Sequence, residues 1–397
     1  MLAHSPPFPL VIDYDAENHH NFSTADEDAI TLALQHRDRV RRIHLRLPVP
    51  SLQKLITALN DKFPILEFLH IRPPTKNDIR LALPSTLEAP HLRHLRLDHF
   101  ASPRGSPLLR TAARLVTVSL RWVHPSIYPH PNDILQPLSL LRQLETLEIG
   151  FCSPVPQRDI ERQLLNTPIM TCATLPNLQS FVFWGVSAYL EALLPRMTTP
   201  LLEKLCVHFF NQLRFAVPRL LQFIIATENL RFISAKFVFY HGAVVAFIHS
   251  HVESRLITFY VDVTCGHLDW QVSSVAQIFN TLNPLFSAVV ELTLGYREHT
   301  LSSEWHNQAD RMRWRELLGS FRNVKTLRVH KGLVGELSRS LRPDGEPPLE
   351  ILPELKEIVC PAGGINDQTF SAFTHERESV GRPVNLIAED IPVGLST

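Results

Sequence analysis

A short apolar pattern, L-x-x-L-x-L with Val, Ile, Phe or a small residue allowed, recurs along the chain. It begins at Val40 (VRRIHL), Leu66 (LEFLHI), Leu92 (LRHLRL), Leu115 (LVTVSL), Leu144 (LETLEI) and Leu178 (LQSFVF). It returns at Leu202 (LEKLCV), Leu230 (LRFISA, running on into KFVF), Leu256 (LITFYV), Val289 (VVELTL), Val324 (VKTLRV) and Leu355 (LKEIVC). The twelve starts lie 23 to 35 residues apart. The last two apolar positions of each phrase alternate with polar ones, which is the period of a strand with one face buried. In LQSFVFW, Phe181 and Phe183 face the core, and Ser180, Val182 and Trp184 face the other way. The leading leucine turns in at the strand entry.

Between the phrases lie segments with apolar residues near i, i+3, i+4 spacing, which predict helices. They are SLQKLITALND, NDILQPLSLL with Asn132 as the cap, RDIERQLL, SAYLEALLP, VPRLLQFIIA, VSSVAQIFNTL and WHNQADRMRWRELLGSF. A strand-turn-helix unit at this period carries the signature of leucine-rich repeats. One unit buries too little apolar surface to order its own backbone, so the units must stack into one continuous core. The expected fold is α/β, an irregular leucine-rich-repeat solenoid (a horseshoe or arc) of about twelve units.

The ends read as caps. Residues 1–39 form an N-terminal cap: PLVIDYD is an edge strand, and Thr24 with Glu27 starts a helix as a capping box and runs to about Arg39. The solenoid covers 40–364. A final helix and short strand cap it over 365–390, and 391–397 is a frayed tail.

Composition narrows the function classes. The 397 residues carry 39 Lys+Arg and 39 Asp+Glu, so no global charge points to nucleic acid or a membrane surface. No apolar stretch reaches a membrane span. The cysteines (Cys152, Cys172, Cys206, Cys265, Cys360) are five and scattered, with no C-x-x-C, which suits reduced thiols in a cytoplasmic or nuclear protein. Proline is unusually common, 31 residues, and sits between the apolar strings as punctuation.

Catalytic signatures are absent: there is no G-x-S-x-G, P-loop or G-x-G-x-x-G. His19–His20, His249-x-His251 and His306 with Asp310 are the best local metal pairs, and none has a third ligand at fixed spacing. Asp269-Trp270-Gln271 has no nucleophile or base beside it. No cofactor or metal is expected, and an enzyme is kept only as a minor class.

A solenoid displays its non-core strand positions as one surface. In the first repeats these are rich in Arg and His: Arg42, His44, Arg46, His70, Arg72, His94, Arg96 and Arg121. Further along the same face come Trp184 and Tyr260. Exposed strand faces are polar in any case. The sharper expectation is a protein partner with an acidic segment, because the guanidinium fork pairs with carboxylates. Trp184 is either an anchor for that partner or rim packing against the next coil.

The phrases PLVIDYD, ALQHRDRVRRIHLRLP, FPILEFLHI, LPNLQSFVFWGVSAYLEALLP, TPLLEKLCVHFFNQLRFAVPRLLQF and GHLDWQVSSVAQIFNTL resemble the fungal (basidiomycete) F-box/leucine-rich-repeat proteins over nearly the whole chain. In that family an F-box docks the Skp-type adaptor of a cullin–RING ubiquitin ligase, and the repeats select a substrate. PLVIDYD begins at residue 9 and no F-box is visible, so the resemblance is to the repeat half. It implies a non-catalytic substrate receptor. A ubiquitin-independent scaffold or inhibitor is the alternative.

Overall fold

The computed structural model describes residues 8–16, 22–74, 81–100, 107–124, 129–152, 168–250, 257–297, 309–342, 351–361 and 369–389. The strands are β1 (Leu10–Asp15), β2 (Val40–Arg46), β3 (Phe68–Arg72), β4 (His94–Asp98), β5 (Thr117–Val123), β6 (Thr146–Phe151), β7 (Ala173–Thr174), β8 (Ser180–Gly185) and β9 (Met197–Thr198). They continue as β10 (Lys204–Phe209), β11 (Ser234–Phe239), β12 (Ala243–His249), β13 (Ile257–Thr264), β14 (Glu291–Tyr296), β15 (Thr326–Val329), β16 (Glu357–Cys360) and β17 (Asn385–Ala388). Helices include Thr24–Gln35, Val49–Ala58, Pro131–Leu138, Ser187–Leu193, Pro218–Ile225, Leu268–Leu282, Arg311–Gly319, Val334–Ser340 and Ser371–Ser379. The predicted helix RDIERQLL lies outside the described residues, as do His19, His20, His251 and His306. So do Asp390 and the tail after it.

The chain forms two compact units. One comprises Met1–Gly185 with Tyr189–Glu203, the other Val186–Ala188 with Lys204–Thr397. In the first, β1, β2, β3, β4, β5, β6 and β8 lie side by side in chain order, every pair parallel. The short β7 and β9 pair separately. Successive strands meet two positions after each leading leucine. The three apolar residues of each phrase are buried together: Leu66, Leu69, Ile71; Leu92, Leu95, Leu97; Leu144, Leu147, Ile149; Leu178, Phe181, Phe183. Tyr189 closes the aromatic end of this core. Its ring meets Phe151 edge-on at 4.7 Å, and its hydroxyl donates to the Pro129 carbonyl at 2.9 Å.

Local chemistry sets the helix starts, and twice it differs from the sequence expectation. The first helix is capped one residue earlier than expected. Ser23 is extended, and its hydroxyl accepts from the Asp26 amide at 3.2 Å while Asp26 accepts from the Ser23 amide at 3.0 Å. Glu27 is thereby released to pair with Lys54 at 3.0 Å. This helix also ends at Gln35 rather than near Arg39, because His36 leaves helical geometry. In the Pro131–Leu138 helix the cap is His130, not Asn132. Asn132 instead ties down a distant loop, donating to the Pro168 carbonyl and accepting from the Met170 and Thr171 amides.

The second unit departs from simple stacking. Its strand order is β10, β13, β12, β11, β14, β15, β16, β17. Strand β12 runs antiparallel to both neighbours, and β11 and β13 have exchanged the places that chain order would give them. The cause is a tight turn after β11, where the Tyr240 amide donates to the Ala243 carbonyl at 2.8 Å. The following AVVAFIH alternates, with Val244, Ala246 and Ile248 all buried. The repeat starting at Leu230 is shifted. Its strand begins four residues after the leading leucine rather than two, so Ala235, Phe237 and Phe239 face inward. The long helix Leu268–Leu282 seals this block with Val272, Val275, Ala276, Phe279 and Leu282, all buried at helical spacing. Phe237 meets Phe279 edge-on at 4.7 Å. Buried Gln271 donates from one amide nitrogen to the carbonyls of Tyr240 and Cys265, each at 2.8 Å, and so joins the β11–β12 turn to the end of β13.

Candidate functional site

Parallel in-register strands place non-core side chains in rows across the open face of the sheet. In the first unit one row runs Asp13, His44, His70, Arg96, Ser119, Glu148, Val182. A second runs Arg42, Phe68, His94, Thr117, Thr146, Ser180. A third contains Asp15, Arg46 and Arg72, then Asp98 with Arg121, then Gly150 with Trp184. The structure therefore gathers Arg42, His44, Arg46, His70, Arg72, His94, Arg96 and Arg121 on one face, with Trp184 at its far side.

Carboxylates stand among them. Strand β1 contributes Asp13, 2.9 Å from His44 Nδ1 and 3.8 Å from Arg42, and Asp15, 3.6 Å from Arg46 and 3.8 Å from Arg72. At the other side Arg121 lies between Asp98 (3.7 Å) and Glu148 (3.3 Å), and Glu148 also accepts from the Ser119 hydroxyl at 2.6 Å. Five arginines thus face four carboxylates. Arg42, Arg46, Arg72 and Arg121 each have an acid within 4 Å, whereas Arg96 has neither ion pair nor hydrogen bond among the described residues, and its Nε is buried and unpartnered. The face is far closer to neutral than its list of Arg and His suggests, and the sequence reading missed this because it treated β1 as a cap.

Burial shapes the titration of the middle of the face. His70 is stacked on His44 with ring centroids 4.7 Å apart. Burial first, then the charges of His44, Arg96, Arg72 and Arg42, push it down to about 3, so it is neutral at physiological pH. Asp98 is pushed up to about 6, chiefly by burial, against the pull of Arg96 and Arg72. His94 is lowered, again mainly by burial, and its Nδ1 lies 3.3 Å from the Thr117 hydroxyl. The Arg42 guanidinium sits over the Phe68 ring at 4.2 Å, a cation–π contact.

The Trp184 ring lies on Gly150 of the neighbouring strand, where an added Cβ would come 3.1 Å from Cε3. With Arg121, Trp122 and Phe151 these two line a recess of about 50 Å³. Trp122 holds a left-handed backbone (φ 59°) and stacks on His99, itself at φ 65°.

Tyr260 belongs to the second unit, where a different row runs Cys206, Tyr260, Phe247, Lys236, Thr293, Arg328. Tyr260 is edge-on to Phe247 at 5.4 Å and near His208 at 5.0 Å. Burial, then Asp262, makes its hydroxyl a weaker acid than usual. His208 is bonded to Asp262 at 3.0 Å, and Arg328 is held by Glu291 (2.8 Å) and Glu389 (2.7 Å). Half-buried Lys236 has no acidic partner among the described residues, and burial lowers it.

Other sequence candidates have structural duties. Asp310 caps the Arg311–Gly319 helix by accepting from the Met312 amide at 2.9 Å, and Asp269 accepts from the Asp310 amide at 2.8 Å. Among the described residues no group of three or more His, Cys, Asp or Glu is placed to hold a metal ion, and no helix is long and apolar enough to cross a membrane. None of the five cysteines is in a disulfide.

The recurring buried triplet and parallel registers define an α/β leucine-rich-repeat solenoid. No protein-family model and no curated protein matches the chain. Among solved structures it is similar to the leucine-rich-repeat-containing protein LegL7 from Legionella pneumophila, at 13% identity over 91% of this chain and 96% of that one, with a TM-score of 0.29. It is also similar to a chain in the complex of TLR13 with ssRNA13, at 12% identity over 96% of this chain and 51% of that one, with a TM-score of 0.33. It thus spans about half the length of the latter.

Proposed function

We propose that the chain is a non-catalytic protein-binding repeat module, the substrate-recognition half of an F-box-type receptor for a Skp–cullin–F-box ubiquitin ligase. Its charged face takes an acidic segment of the target. The observation that carries the binding reading is the continuous polar row across β1 to β6, which ends in carboxylates and holds at its centre a guanidinium with no ion pair or hydrogen bond among the described residues. The ligase reading rests on the family resemblance of the repeat phrases. Affinity purification of the protein from cells, followed by mass spectrometry, tests it. Recovery of a Skp-type adaptor and a cullin together with one target, the target lost on replacing Arg42, Arg46, Arg72 and Arg96 with Ser, is the expected result. A target recovered without adaptor and cullin favours a ubiquitin-independent scaffold. A target equally captured by the fourfold variant removes the charged face as its site.

A further inference from the structure

We propose that Arg96 is the anchor for a single carboxylate of an acidic peptide segment, and that capture of this carboxylate is accompanied by proton uptake on Asp98. The proposal rests on the binding reading above and names the chemistry of that site.

The charged side chains of the face do not balance. Four carboxylates each lie within 4 Å of an arginine, and the fifth arginine is left over. An unpaired half-buried guanidinium is costly in an isolated protein, since its donors have lost water without gaining an acceptor. Arg96 sits in the middle strand of the row, flanked in register by His70 and Ser119. Neither flank neutralises it. His70 is uncharged, and the Ser119 hydroxyl is turned away to Glu148. The excess on the face is one positive charge, so the complementary guest carries one negative charge. A phosphate dianion would overshoot and meet repulsion from Asp98 and Glu148. A glutamate or aspartate side chain matches in charge, and its two oxygens match the guanidinium fork.

Asp98 lies two residues from Arg96 on the same strand and the same face. It is faced by Arg72 from β3, Arg121 from β5 and Glu148 from β6, with Arg96 on its own strand and His99 next to it in the chain. One of its carboxylate oxygens is buried without a hydrogen-bond partner, and Arg121 reaches it only at 3.7 Å. A second negative charge placed on Arg96 removes the main cation that favours ionised Asp98 and adds repulsion. Both effects drive a proton onto Asp98. Binding is therefore tighter below the Asp98 titration than above it.

The test uses the full chain and isothermal titration calorimetry with N-acetylated, C-amidated peptides: Gly-Ser-Glu-Ser-Gly, the same peptide with Gln for Glu, and the same with phosphoserine in place of Glu. The expected results are preference for the Glu peptide, tighter binding at pH 5.5 than at pH 8, and loss of about tenfold or more in Arg96→Gln. Arg41→Gln, whose arginine is paired with Glu67 at 2.9 Å, leaves affinity unchanged. Asp98→Asn removes the pH dependence by raising affinity at pH 8. Below the Asp98 titration, where Asp98 is neutral, Arg96→Gln should melt no lower than the parent chain, because there it deletes a charge with no ion pair. Equal binding of the Gln peptide, stronger binding of the phosphopeptide, or full affinity in Arg96→Gln overturns the assignment. If Arg96→Gln leaves peptide binding intact while the fourfold variant loses its cellular target, this inference fails and the wider reading stands. If the parent chain captures no target at all, the wider reading fails.

Discussion

The two units bury the same phrase and display different words. In the first unit every strand pairs with its neighbour in the chain, and the open face carries Arg, His, Asp and Glu in rows. In the second an antiparallel strand is inserted, and the corresponding row passes through Tyr260, Phe247 and Lys236. The contrast shows where constraint acts. Inward positions answer to stacking and hardly change. Open-face positions answer to charge balance in one unit and to aromatic packing together with a few charge pairs in the other.

The largest effects should come from the shared phrase and should be alike in both units. Phe183→Ala in the first and Phe237→Ala in the second each remove a fully buried ring. Each is expected to cost ~3–5 kcal/mol by chemical denaturation. A cost below ~1 kcal/mol in one of them would show that the two cores are not equivalent.

Next come the buried titratable groups, which only the first unit's face holds in opposition. Asp98 has its folded value raised from the usual 3.8 to about 6, so its ionised form penalises the native state as pH rises through that window. Asp98→Asn should therefore stabilise by up to ~3 kcal/mol above pH 6 and by nothing below about pH 4. His70 has its folded value lowered from 6.5 to about 3, so its contribution is intact above pH 6.5 and is lost as pH falls through the window. His70→Phe should flatten the acid limb that Asp98→Asn steepens. Melting temperatures between pH 4 and 8 would separate the two, and parallel curves would refute the opposition.

Smaller again is Gly150→Ala, whose new Cβ must push the Trp184 ring by a few tenths of an ångström. About 1 kcal/mol and a shift in tryptophan emission are expected. Smallest is Lys236→Met in the second unit. The half-buried amine is penalised while charged, so its removal should stabilise by ~0.5–1 kcal/mol at pH 7, the gain fading as rising pH takes the proton from the parent lysine. A loss of stability there would reveal a partner for Lys236.

The core was legible because stacking imposes a repeating period-2 pattern on the sequence. Leu66, Leu95, Phe181 and Leu327 could be assigned by counting, and all are buried. Strand β12 was not legible. AVVAFIH alternates but lacks a leading leucine, and nothing local says that it will pair backwards between β11 and β13. On the open face, parity alone places Trp184 and Arg96. Their difference in circumstance depends on neighbouring strands: Gly150 opposite Trp184 leaves room for its ring, and the acids that neutralise Arg42 and Arg46 arrive from β1. A Gly in LEIGF and two Asp in LVIDYD were the available signals, and both needed the register to be read.

The inserted β12 has a consequence for how the chain acquires its structure. In the first unit each new strand docks on one made about one repeat earlier, as Leu95 does on Leu69, so ordering can spread one coil at a time. In the second, His208 meets Asp262 54 residues away, and Lys236 and Thr293 are separated by a similar stretch. Strands β11, β12 and β13 can zip as successive hairpins, but within the second unit β10 gains its partner only when β13 emerges, and β11 gains β14 only after the Leu268–Leu282 helix has been made. Closing such long loops before any pairing rewards them slows the search. The second unit should be the slow step in refolding, and during synthesis β10 should wait with its β13-side edge bare until more than fifty further residues have followed it.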